Sequence, residues 1–124
     1  MKQQKTILFI EDEKELLVTV EALLLDQGYG VVAVERAEDA WESLKQSPPS
    51  LILADIKLPG IDGFDFFKEV QADADLKKIP FVFLTAYNNM KAMLYAKKHG
   101  ASEYITKPFD FEYLIARIRD LLPP

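Results

Sequence analysis

Residues 6–17 read "TILFIEDEKELL": four apolar residues, Ile7 to Ile10, run straight into the carboxylates of Glu11, Asp12 and Glu13. The run suits a buried strand, yet three acids at its mouth repel one another, since two unit charges about 4 Å apart interact by about 4 kcal/mol at an effective dielectric near 20. Either the side chains splay into water or a cation sits among them.

Four more runs punctuate the chain: "YGVVAVE" (29–35), "SLILAD" (50–55), "PFVFLT" (80–85) and the short "SEYIT" (102–106). They are continuous rather than alternating, as strands covered on both faces of a parallel sheet should be. Between and after them apolar residues recur at helical spacing: Leu16, Val20, Leu23 and Leu24; Ala37, Ala40, Trp41 and Leu44; Phe64, Phe67 and Val70; and Phe111, Leu114, Ile115, Ile118, Leu121 and Leu122 along one face. Around Met90 to Lys98 the stripe narrows to Met90, Met93 and Leu94 beside Lys91 and Tyr95, which predicts the loosest helix. Breakers fall between these segments, at Gly28 and Gly30, Pro48 and Pro49, Pro59 to Gly63, Pro80, Gly100 and Pro108. Five strands alternating with five helices predict an α/β fold, a doubly wound parallel sheet with right-handed crossovers.

Composition bounds the function. A chain of 124 residues has the size of one domain, residues 1–124, and can bury roughly two-thirds of its unfolded surface. There is no cysteine and one histidine, so a metal would be held by oxygen. No run approaches the roughly eighteen apolar residues of a membrane span, and acids follow the first apolar run too soon for a signal peptide, so the expected location is cytoplasmic, without membrane contact. Residues 1–62 carry a balance of −6 and residues 63–124 one of +1, and residues 77–107 hold six lysines against the single acid Glu103. Such a cluster is first a solvated face, and second a surface for an acidic partner or for weak nucleic-acid contact.

In doubly wound folds ligands bind beyond the carboxyl ends of the strands. The residues there are Glu11, Asp12 and Glu13, then Asp55, then Thr85 and Ala86, then Thr106, Lys107 and Pro108; the second run offers Glu35 and Arg36, which join no evident chemistry. Asp12 or Glu13 could cap the first helix. Asp55 abuts a buried strand and needs a partner or a proton. Together, three carboxylates, a hydroxyl and an ammonium could hold a hard dication and a phosphoryl group.

With the acid pair Glu11 and Asp12, "LILADIKLPGIDGFDF" around Asp55, "FLTAY" with Thr85 and "GASEYITKPFD" with Tyr104, Lys107 and Pro108, the chain resembles the receiver domain of two-component response regulators, the CheY-like family. The resemblance implies the flavodoxin-like strand order 2-1-3-4-5 and Asp55 as acceptor of a phosphoryl group from a histidine kinase or phosphotransfer protein. It implies Mg²⁺ held by Asp12, Asp55 and the backbone carbonyl of Lys57, with Glu11 acting through water. Thr85 and Lys107 would contact the phosphoryl oxygens, Thr85 and Tyr104 would switch together, and the Lys107–Pro108 peptide would be cis. The output surface would be the fourth helix, fifth strand and fifth helix, binding a downstream protein or a second copy, with no nucleic acid bound directly. By this reading the protein is no enzyme beyond promoting its own phosphorylation and dephosphorylation.

Two features depart from the family pattern. Glu11 stands where Asp is commoner, and Lys57 and Tyr87 flank the phosphoryl position, where they could hinder water. A flavin carrier would need hydroxyls and amides after the first strand, where acids stand. A phosphatase with an aspartate nucleophile would place a second acid two residues beyond Asp55, where Lys57 stands. The alternatives are a receiver fragment of a longer regulator or hybrid kinase, with Pro123 and Pro124 opening a linker, or a receiver that binds proteins without phosphorylation.

Overall fold

The computed structural model describes residues 4–123. Among them the elements run β1 (Thr6–Ile10), α1 (Lys14–Asp26), β2 (Gly30–Val34), α2 (Ala37–Gln46), β3 (Leu51–Ala54), α3 (Gly63–Ala72), β4 (Phe81–Thr85), α4 (Met90–Lys98), β5 (Glu103–Thr106) and α5 (Phe111–Leu121). A single 3-10 turn over Leu76–Lys78, which apolar spacing did not signal, joins α3 to β4. All strand pairs are parallel in the order β2-β1-β3-β4-β5, so the chain reverses its direction of travel across the sheet between β1 and β3.

Because side chains alternate across a strand, each continuous run feeds two cores. Ile7, Phe9, Leu51, Leu53, Val82 and Leu84 pack with Val20 and Leu24 of α1 and with Leu114 and Ile118 of α5. Leu8, Ile10, Ile52, Ala54, Phe81 and Phe83 face the helices α2, α3 and α4. This second face is aromatic. The Phe83 ring lies 4.9 Å from Phe81, 5.1 Å from both Phe64 and Phe67, and 5.8 Å from Tyr104, in the tilted and edge-on geometries that aromatic rings favour.

The structure corrects three expectations. The edge strand β2 is not covered on both faces: none of its residues is fully buried and Val32 is 39% exposed. In α4 two of the three stripe residues turn outward, Met90 66% and Leu94 60% exposed, while Met93 packs half-buried against the core and Ala96 is the one buried residue. Phe111 likewise lies 40% exposed at the start of α5 instead of joining the buried face. Asp62, Asn89 and Asp110 cap α3, α4 and α5 by accepting from the amides of Asp65, Ala92 and Glu112. Glu13 is the exposed N-cap residue of α1 but makes no capping hydrogen bond, and Asp12 does not substitute for it. No described helix is long and apolar enough to cross a membrane.

The contrast between β4 and α4 predicts a contrast in stability. We expect Phe83→Ala, which empties the hub of the aromatic core, to destabilise by about 3 to 5 kcal/mol in denaturant unfolding. Leu94→Ala should stay within about 0.5 kcal/mol of the parent, because its side chain packs on little. Equal effects from the two substitutions would contradict the described packing.

Candidate functional site

The carboxyl ends of β1, β3, β4 and β5 converge because register fixes their heights. The Glu11 amide donates to the Val34 carbonyl at 3.0 Å, the Asp55 amide to the Ile10 carbonyl at 3.0 Å, and the Lys107 amide to the Thr85 carbonyl at 2.8 Å. β1, β3 and β5 therefore each continue one step past their last residue to deliver Glu11, Asp55 and Lys107 to a common pocket, and β4 ends beside it at Thr85. The sequence placed Glu11, Asp12, Asp55, Thr85 and Lys107 at one end of the sheet, and the structure brings them together. Glu35 and Arg36 stand to one side.

Inside the pocket charge is unevenly matched. Lys107 Nζ donates to Glu11 Oε1 at 2.7 Å and to Asp55 Oδ2 at 2.8 Å, so one ammonium serves two carboxylates. Glu11 is fully buried, Asp55 is 5% exposed and Asp12 lies open to solvent at the rim. The second oxygen of Asp55 accepts from the amides of Ile56 at 2.6 Å and Lys57 at 3.3 Å, while Glu11 Oε2 accepts from the Glu13 amide at 3.2 Å. Burial pushes the Glu11 carboxyl up to about 7; the Lys107 hydrogen bond opposes this and the charge of Asp55 adds to it. Burial would lower Lys107, but the bonds to Asp55 and Glu11 outweigh it and hold the ammonium above its ordinary value. The cation is thus firmly charged, and the pocket remains short of positive charge.

Those same acids answer the question posed by the sequence. Glu11, Asp12 and Asp55 each offer an oxygen, and the three oxygens lie within 4.8 Å of one another. An all-oxygen donor set with a surplus of negative charge fits a hard dication such as Mg²⁺ and suits no soft metal. Glu13 stays outside, exposed at the start of α1.

Around this centre the loops are tied to one another. Thr85 is fully buried, and its Oγ1 accepts from the Tyr87 amide at 3.1 Å. The Tyr104 hydroxyl donates to the Tyr87 carbonyl, so Tyr104 occupies its buried position. The Lys57 ammonium sits 4.7 Å from the centre of the Tyr87 ring, a cation–π contact that joins the β3–α3 loop to the β4–α4 loop. The Lys107–Pro108 peptide is cis. One positioning residue had no chemical signal in the sequence: a β-carbon on Gly63 would stand 2.0 Å from the Asp55 carbonyl oxygen, so only glycine lets α3 start this close to the acid. Its place among the breakers between Pro59 and Gly63 was the available hint.

Comparison with known proteins agrees with this geometry. Residues 7–119 match the family described as response regulator receiver domain. The chain is 38% identical to the transcriptional regulatory protein DltR of Streptococcus agalactiae, covering 91% of this chain and 50% of DltR. It is 30% identical to the protein PilH of Pseudomonas aeruginosa, covering 94% of this chain and 96% of PilH. The chain spans about half the length of several other curated relatives. The BeF3-activated N-terminal receiver domain of RstA from Klebsiella pneumoniae superimposes with a TM-score of 0.87 at 31% identity, over 97% of this chain and 100% of that one.

The buried Tyr104 gives this end of the sheet a signature in alkali. Burial first, then the neighbouring Tyr87 and Asp55, push its phenol up to about 12 from an ordinary value of 10.0. A raised folded value favours the protonated state, so the associated stability is complete below pH 10 and declines as the pH rises through about 12. We predict that Tyr104→Phe flattens this alkaline loss in unfolding experiments across that window. An unchanged slope in the variant would place the titration elsewhere.

Proposed function

Because the chain belongs to the response regulator receiver domain family, we propose that residues 1–124 form a phosphorelay receiver in which Asp55 is the phosphoacceptor. One observation carries the reading: a single ammonium, Lys107 Nζ, bonded to both Asp55 and Glu11 in a buried acidic pocket. A carboxylate nucleophile for phosphoryl transfer needs an orienting partner and nearby positive charge, and this arrangement supplies both. The free lone pairs of Asp55 would attack the phosphorus of a phosphohistidine on a histidine kinase or phosphotransfer protein. The P–O bond forms as the P–N bond breaks, and the imidazole leaves with the electron pair and takes up a proton. Lys107 would move from the Asp55 oxygen to a phosphoryl oxygen.

Asp12, Asp55, the Lys57 carbonyl and, through water, Glu11 would hold Mg²⁺, which neutralises charge on the phosphoryl oxygens. The Thr85 hydroxyl would exchange its bond with the Tyr87 amide for one to the phosphoryl group, drawing the β4–α4 loop inward. Tyr104, bonded to the Tyr87 carbonyl, would follow that loop. The surface affected would be α4, β5 and α5, where Met90, Leu94 and Tyr95 are exposed on the same helix as Lys91, Lys97 and Lys98, and Tyr113 is exposed on α5. This face would bind a downstream protein or a second copy, with no nucleic acid contacted by this chain. Lys57 and Tyr87, in cation–π contact with each other, would hinder the water that hydrolyses the aspartyl phosphate. The protein would act in the cytoplasm and turn over no substrate but its own phosphoryl group.

Two experiments test this reading. Acetyl phosphate with Mg²⁺ should add one phosphoryl group, labile to hydroxylamine, and Asp55→Asn should abolish it. Label persisting in that variant, or stable label on Thr85, would sink Asp55 as nucleophile. The metal should be visible without chemistry. Mg²⁺ at a hundred times its dissociation constant should stabilise the fold by about 2.7 kcal/mol, and Asp12→Ala should remove most of that gain. A melting temperature indifferent to millimolar Mg²⁺ at low salt would refute the metal site.

A further inference from the structure

At the switch-point end of the sheet, the exit of β2 has no part in the chemistry above. Arg36 there is the N-cap residue of α2, and its guanidinium pairs with Glu38 Oε2 at 3.3 Å. Both side chains are nearly half exposed, and an isolated pair of this kind adds little stability. What distinguishes it is what lies beneath. A β-carbon on Gly60 would stand 2.5 Å from Glu38 Oε2 and 2.7 Å from Arg36 Nη2, so the pair rests directly on the backbone of the β3–α3 loop. Gly60 also has a φ of +74°, which glycine adopts without strain.

That loop is held at its ends and nowhere else by its own backbone. Asp55 Oδ1 accepts from the Ile56 and Lys57 amides at one end, and the Gly63 amide donates to the Ile56 carbonyl at the other. Among the described residues, Leu58 to Ile61 form no backbone–backbone hydrogen bond. Leu58 packs against the aromatic core at one side of the crest, and at Gly60 itself the polar groups that meet the loop are Glu38 and Arg36. Glu38 Oε2 touches Gly60, while its Oε1 is buried without a hydrogen-bond partner in the protein. Glu38 also lines a cavity of 240 Å³ with Ala37, Trp41, Ile61 and Phe66. On the other side of the pair, a groove of 580 Å³ runs between Arg36 and the rim acid Asp12 and is walled by Pro59. Its own backbone amide first, then Arg36, draw the Glu38 carboxyl below its ordinary range against the opposing effect of burial.

We infer that Glu38, braced by Arg36, is a positioning residue: it pins the segment from Leu58 to Ile61 against α2 and thereby fixes the backbone that carries the Lys57 carbonyl. The connection to metal rests on the reading of the acidic pocket as a Mg²⁺ site, and groups that hold metal ligands in place normally affect affinity strongly. The positioning itself needs no metal. A segment with free backbone groups between two fixed ends samples many conformations unless a side chain restrains it.

The test has one arm in each condition. In metal-free protein, Glu38→Ala should lower the backbone amide order parameters of Leu58, Gly60 and Ile61 from about 0.85 to below about 0.6, with β1 and β3 unchanged. Glu38→Gln, which keeps the length and an oxygen acceptor, should restore the parent values. With Mg²⁺ added and followed through the single tryptophan, Trp41, Glu38→Ala should bind about tenfold more weakly, and Glu38→Gln close to the parent. Unchanged order parameters in Glu38→Ala overturn the inference, and so does a Mg²⁺-binding parent whose affinity Glu38→Ala leaves equal. A parent that binds no Mg²⁺ while Glu38→Ala frees the loop refutes the metal reading and supports the pinning, so the two failures are distinguishable.

Discussion

One ammonium shared by two buried carboxylates sets the conditions for the rest of this molecule. Lys107 lies 96 residues from Glu11 and 52 from Asp55, yet its Nζ bonds both within 2.8 Å. Burying those carboxylates is tolerable only with a cation in contact, because an unpaired charge in so little water is expensive. The contact in turn requires β1, β3 and β5 to end at the same height, which only a parallel sheet in this register provides. Burial first, and the charge of Asp55 after it, still raise the Glu11 carboxyl despite its bond to Lys107. Three acids around one ammonium form a cluster that could hold a metal ion.

The two faces of the sheet divide the labour. On the face of α1 and α5 the packing is largely aliphatic, and the Tyr29 hydroxyl closes it by donating to the Leu122 carbonyl at 2.6 Å. The face of α2, α3 and α4 is aromatic, from Trp41 at one side to Tyr104 at the other. Tyr104 belongs to both core and site: its ring packs on Phe83 and its hydroxyl bonds the loop beside Thr85. A displacement of that loop therefore meets a side chain anchored in the core, a physical link that the proposed switch can use. The weak packing of α4, with Ala96 its only buried residue, leaves that helix the freest to respond.

Loop anchoring follows a graded pattern around the pocket. The β4–α4 loop is tied by Thr85 and Tyr104, and Lys57 reaches across to the Tyr87 ring. The β3–α3 loop is tied tightly where it meets Asp55 and Gly63 and more lightly at its crest, where Glu38 rests on Gly60.

The sequence determined much of this protein through local physics. Continuous apolar runs between helical periods point to the strands of a parallel sheet, and polar residues placed directly after such runs fall at one end of it. Hence Glu11, Asp12, Asp55, Thr85 and Lys107 were legible before any coordinates. The tertiary structure alone decided the outcomes that depend on neighbours distant in the chain. The edge position of β2 exposes Val32, and the lack of a covering layer turns Met90, Leu94 and Phe111 outward, though periodicity marked them as core. The closeness of Gly63 to the Asp55 carbonyl, the resting of Glu38 on Gly60, and the sharing of Lys107 were equally invisible. Periodicity reports which way a side chain faces within its own element; what it meets there is fixed by packing between elements.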